Sequence, residues 1–259
     1  MVQFDCTMCG RCCHGLRLPL SLAEAMGWLR DGHDVQLFCE AIPWPSEPPE
    51  DNLPAMHKRR RSFEAMSGTL PVRVIATLMA SFDGPCPNLQ PDMRCGIYDR
   101  RPATCRIYPA EVNPFIRLDP AVKLCPPEAW QGETTILADD GRWANADLAA
   151  TIVCARDADA YDAVLKRQLC AALGCATAAL SNEGMVIFSP SREAALAALS
   201  DTLGSDGDER LATDMSWQLV SNRSQTLGAL LDSGSSCATP ATMGAAGLSY
   251  LGYFETEVA

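Results

Sequence analysis

No apolar run in this chain approaches the roughly 18 to 20 residues that a membrane-spanning helix needs, so no transmembrane helix is expected. The start, Met1-Val2-Gln3-Phe4-Asp5-Cys6, has neither a basic region nor an apolar stretch. No signal peptide is therefore expected, and a cytoplasmic location is. The common catalytic signatures are missing too: there is no G-x-S-x-G, Walker A loop, H-E-x-x-H or Rossmann-like glycine fingerprint. No acid–base pair stands out, so any catalysis would have to come from a metal. Histidine is scarce, with three residues in 259, and no internal repeat occurs. Basic residues are few in the second half, where residues 131–259 hold 7 Lys and Arg against 17 Asp and Glu, while residues 1–130 hold 14 against 15. That imbalance argues against nucleic acid or an anionic membrane as a partner of the acidic half.

Cysteine is abundant. Of 13 cysteines, four stand within eight residues as Cys6, Cys9, Cys12 and Cys13, in the run Cys-Thr-Met-Cys-Gly-Arg-Cys-Cys. Thiolates are soft ligands, and short turns bring successive sulfurs around one ion or cluster. In a reducing compartment such clustering points to metal rather than to disulfides. Cys86, Cys95, Cys105 and Cys125 follow in a proline-punctuated stretch with little apolar periodicity, and a metal crosslink would supply the constraint that a core does not.

The spacing narrows the metal. Cys6, Cys9 and Cys12 form C-x2-C-x2-C, the run that grips one face of an iron–sulfur cubane. The fourth ligand of such a cubane is a distant cysteine, often followed by proline. Cys86-Pro87 and Cys125-Pro126 both offer that dipeptide. Zinc sites more often join two separated C-x2-C pairs, so a 4Fe-4S cluster is favoured, with zinc the alternative. Cys6, Cys9, Cys12 and Cys86 are the first candidates, and Cys13, Cys95, Cys105 and Cys125 the next. Adjacent side chains diverge, which sets Cys12 and Cys13 on different metals or leaves one of them outside the ligand set. Eight cysteines would suit two four-sulfur sites.

Taken together, C-x2-C-G-x-C-C, G-P-C-P-N-L and C-G-I-Y-D-R-R-P-A-T-C-R-I-Y-P, with Cys125 beyond them, resemble the YkgJ-type cysteine-cluster family of zinc- or iron-chelating domains. The likeness covers about residues 4 to 127. It is also distantly similar to flagellin lysine methylase, a longer enzyme with an iron–sulfur cluster, which implies redox or modification chemistry on a protein or peptide. The alternatives are a structural zinc module and a metal-handling protein without catalysis.

Arg11, Arg100, Arg101 and Arg106 lie beside proposed ligands. Arg101 and Arg106, with Tyr98, are candidates for contact with the cofactor, because cations and donors offset thiolate charge. Surface ion pairs are the plainer role for the arginines, and a packed aromatic pair is the plainer role for Tyr98 and Tyr108. His14 is a minor ligand candidate. Cys39, Cys154, Cys170, Cys175 and Cys237 are expected to pack, and Lys58-Arg59-Arg60-Arg61 to form a solvated helix face.

The expected fold is mainly α with long loops. A cysteine-rich, metal-stapled half over 1–130 packs on an acidic helical region over 131–259. Ser21 and Glu24 form a capping box for a helix to Leu29. Residues 42–54, with five prolines, form an exposed connection. Met56, Phe63, Met66 and Leu70 recur near helical spacing, and Val72–Leu78 suits a strand or a buried helix. Helices are expected over 146–173, from Ser189-Pro190 onward, and over 210–231 with a break near Gly228. A strand is expected over 185–188.

Overall fold

The computed structural model describes residues 1–204, 215–243 and 247–255. Its strands are β1 (Val2–Gln3), β2 (Leu18–Leu20), β3 (Asp34–Pro43), β4 (Phe63–Ser67), β5 (Leu70–Ser81), β6 (Thr135–Leu137), β7 (Thr177–Leu180), β8 (Gly184–Phe188), β9 (Gln218–Val220), β10 (Cys237–Ala238) and β11 (Leu248–Gly252). The helices are α1 (Leu22–Arg30), α2 (Leu53–Arg60), α3 (Ala103–Ile107), α4 (Ala146–Ala172), α5 (Arg192–Gly204) and α6 (Ser224–Asp232). No described helix is long and apolar enough to cross a membrane.

Among the described residues the fold is α/β, with 36% helix, 25% strand and a nine-stranded sheet. This overturns the mainly α expectation. The cause lies in β3 and β5, whose buried residues include Val35, Leu37, Phe38, Cys39 and Ala41, and Val72, Val74, Ile75, Ala76 and Leu78. Strands buried on both faces show continuous apolar runs without the alternation that identifies a half-exposed strand. The supposed helix through Met56, Phe63, Met66 and Leu70 is a short α2 followed by a hairpin, with Phe63 opposite Val74 and Ser67 opposite Leu70. Its basic run closes α2 and is engaged in ion pairs, Arg59 with Glu47 at 3.0 Å and Arg61 with Asp159 at 2.9 Å.

Two compact units interleave along the chain: Met1–Leu20 with Ala80–Ala158, and Ser21–Met79 with Asp159–Ala259. The division expected at residue 130 is sequential, whereas these units are not. In the first unit β1 pairs antiparallel with β6. Its apolar cluster is small, with Ile107, Ala110 and Ile152 buried and Trp143, Leu148 and Ala155 against them. Long loops with so little apolar cover leave much ordering entropy to be offset by other means.

The second unit carries most of the sheet, in the order β10-β9-β7-β3-β5, with β4 on β5, β8 on β3 and β11 on β8. β3–β7, β7–β9 and β9–β10 are parallel. α1 has the expected capping box between Ser21 and Glu24, and buried Asp162 accepts the Leu22 N–H at 2.8 Å. α5 starts at Arg192, two residues after Pro190, because Ser191 supplies the cap to the Ala194 N–H. The helix expected over 210–231 is β9 and then α6, which runs through Gly228 unbroken. Residues 210–214 lie outside the described residues.

Candidate metal centre

All eight cysteines of the sequence motif fall in the first unit. The N-terminal run is a sharp double turn. Met8 adopts a φ of 53°, uncommon for a residue with a side chain, and its N–H donates to Cys6 Sγ at 3.4 Å. Gly10, at φ 68°, then starts a 3-10 turn over Arg11–Cys13. A Cβ on Gly10 would lie 2.7 Å from the Met93 methyl and 3.3 Å from the Met93 carbonyl oxygen. Only glycine suits both that conformation and that approach.

Backbone bonds carry this turn to the later cysteines. The Cys86 N–H donates to the Cys13 carbonyl at 2.6 Å and Gly15 N–H to Gly84 at 2.8 Å, with His14 opposite Pro85. Beyond Cys86 the chain folds on itself, placing Leu89 opposite Cys95, and the Gly96 N–H donates to Asn88 at 2.8 Å. Cys105 sits in α3, whose neighbour Thr104 donates its hydroxyl to the Pro19 carbonyl at 2.9 Å.

The other end of the run is held elsewhere. Asp5 N–H donates to Ala129 at 2.9 Å, Ala129 N–H donates to Pro126 at 3.0 Å, and Phe4 N–H donates to Thr134 at 2.9 Å. The Asp5 carboxylate accepts the Glu133 N–H at 2.8 Å, and the Phe4 ring packs on Trp130 at 4.9 Å. Cys6 is thereby stapled to the turn that follows Cys125-Pro126. The Tyr108 hydroxyl accepts the Leu124 N–H at 2.9 Å and interacts with the Cys125 thiol.

Electrostatics mark the sulfurs as mutual neighbours. The Cys12 thiol is lowered to about 6, chiefly by its contact with the Cys13 thiol, while Cys13 is raised by the same contact. Both residues lie in the 3-10 turn over Arg11–Cys13. Burial first, and then the charges of Cys86, Cys12 and Cys95, push Cys105 up to about 12. Burial likewise raises Cys86, which has Cys95 and Cys12 as charged neighbours, and Cys125, which has Cys12, Cys6 and Cys9. Thiols packed this way resist ionising together, and a bound cation reverses that balance. The donor set therefore suits a thiophilic metal. Among the described residues no three His, Cys, Asp or Glu side chains already stand as a closed ligand cage; the backbone sets which segments meet.

The accessory candidates separate. Arg101 stacks on the Tyr98 ring at 3.6 Å and is a positive neighbour of Cys12 and Cys105. Arg106 is exposed, and Tyr98 is 47% exposed, which excludes the packed Tyr98–Tyr108 pair. Nδ1 of His14 donates to the Gly10 carbonyl at 3.0 Å and so braces the turn. Cys39, Cys170 and Cys175 are buried in the second unit, with Cys39 and Cys175 sulfurs 3.9 Å apart, as packing residues should be; Cys154 is exposed. Asp5 and Met8 went unnoticed in the sequence. Only their positions beside Cys6 and Cys9 could have flagged them.

No curated protein and no solved structure matches the chain. A family model does match, over residues 5–126; its description is "Putative zinc- or iron-chelating domain". The span covers all eight motif cysteines and ends on Pro126. Residues 5–126 of this chain are thus similar to the CxxCxxCC zinc- or iron-chelating domain, a match consistent with the YkgJ-type cysteine-cluster family.

Proposed function

We propose that the first unit binds iron as a 4Fe-4S cluster through thiolates drawn from Cys6, Cys9, Cys12, Cys13, Cys86, Cys95, Cys105 and Cys125. The observation that carries this is the Cys6-Cys9-Cys12 run with a Cys-Pro position, Cys125-Pro126, stapled beside it by Asp5 and Ala129. When bound, such a cluster supplies one-electron chemistry. The chain's own groups prepare the site. The Met8 amide donates to Cys6 Sγ, Arg101 offsets charge near Cys12 and Cys105, and the Tyr108 hydroxyl interacts with Cys125. Thirteen free thiols suit a reducing compartment, in keeping with a cytoplasmic location. A protein or peptide is the proposed substrate class, on the likeness to flagellin lysine methylase.

A structural zinc site is the second reading, favoured by the small apolar core of the first unit. Visible absorption of anaerobically purified protein, followed by dithionite reduction and electron paramagnetic resonance, separates the two. A brown protein that gains a signal on reduction supports the cluster. A colourless, silent protein refutes it.

A further inference from the structure

We infer that the eight thiols divide into two four-sulfur centres that cross in sequence, one held by Cys6, Cys9, Cys12 and Cys125 and the other by Cys13, Cys86, Cys95 and Cys105. This rests on the metal-binding reading above and adds the connectivity. The division follows the backbone. Asp5, one residue before Cys6, is bonded to Ala129, which is bonded in turn to Pro126, the residue after Cys125. Cys13, at the opposite end of the run, is bonded directly to Cys86. The fold-back that pairs Leu89 with Cys95 returns the chain to Cys86, and Cys105 joins this group as the one thiol left once the other centre has its four.

The backbone holds Cys125 on the other side, next to Cys6, through Asp5, Ala129 and Pro126. Cys12 borders both groups. Its three-residue spacing from Cys9 completes the C-x2-C-x2-C face, which leaves Cys13 to the second group. Each group then holds four sulfurs, the number that a tetrahedral ion or a cubane takes. The Cys12–Cys13 peptide becomes the link between the centres, and Cys125 rather than Cys86 completes the first of them.

Paired substitutions test this in the full chain, purified anaerobically, with metal per chain as the readout. Cys9→Ser should lower metal content about twofold, and Cys9→Ser with Cys125→Ser should lower it no further. Cys9→Ser with Cys95→Ser should abolish it. If Cys9→Ser with Cys86→Ser retains half of the metal while Cys9→Ser with Cys125→Ser retains none, the division is overturned. Unaltered protein gives an independent readout should a variant fail to fold. During stepwise removal of metal by a chelator, thiol alkylation mapped by peptide mass should label Cys6, Cys9, Cys12 and Cys125 as one set. Cys13, Cys86, Cys95 and Cys105 should form the other. Labelling of all eight at once overturns the inference. Zinc in place of iron with the same halving upholds the division while refuting the cluster, and a metal-free chain refutes both.

Discussion

Replacing Gly10 by alanine should weaken metal binding more than the same change at Gly15, five residues on. Both glycines have positive φ, 68° and 61°. A side chain in that region costs roughly 1–2 kcal/mol, equivalent to about 5- to 30-fold in an equilibrium constant. Gly15 would meet nothing within 4 Å, so Gly15→Ala reports that conformational cost alone. At Gly10 the new methyl would lie 2.7 Å from the end of Met93 and 3.3 Å from the Met93 carbonyl oxygen. The Met93 side chain is free to swing, but the carbonyl belongs to the turn that returns the chain to Cys95. A further penalty of about 1 kcal/mol or more is expected, the scale at which overpacking is felt. The assay is competition with a chromogenic chelator, run beside urea unfolding. Gly10→Ala should lose several-fold more affinity than Gly15→Ala, and adding Met93→Ala should recover part of the excess. Equal behaviour of the two variants would refute the close approach. Wild-type behaviour of both would refute the left-handed turns.

Two further outcomes are expected. Burial raises the Asp162 carboxyl above its ordinary 3.8, so the folded chain keeps that proton to higher pH than the unfolded chain does. Its contribution to stability is therefore greatest at low pH and declines as pH rises from 3.8 through the raised value. Asp162→Asn, which still offers an oxygen to Leu22, should gain on the wild type over that window in urea midpoints, and a pH-independent difference would contradict this. Cys39→Ala, in the buried trio of the second unit, should cost about 1 kcal/mol of stability and leave metal content unchanged; loss of metal would make Cys39 a ligand.

Local chemistry was the legible part of this fold. Ser21 and Glu24 are three residues apart, and the capping box they form needs nothing beyond α1. The cysteine run and Gly10 are equally local, which is why Cys6, Cys9, Cys12 and Cys13 could be named together. The sheet was hidden for a physical reason: β3 and β5 are covered on both faces, so Val72 to Leu78 shows no alternation. Phe63, Met66 and Leu70 share helical spacing by coincidence, since two lie in β4 and one in β5. Partner choice among the cysteines was illegible as well. Whether Cys86 or Cys125 stands by Cys6 depends on bonds made by Asp5, Ala129 and Cys13 across more than 70 residues, and spacing carries no trace of them.

Iron, zinc and acid-labile sulfide measured on the intact chain after anaerobic purification test the central claim most directly. Iron with an equal amount of sulfide, and no stoichiometric zinc, is the outcome expected of thiolate-held clusters. Stoichiometric zinc without sulfide, or a chain that holds no metal at all, would contradict it.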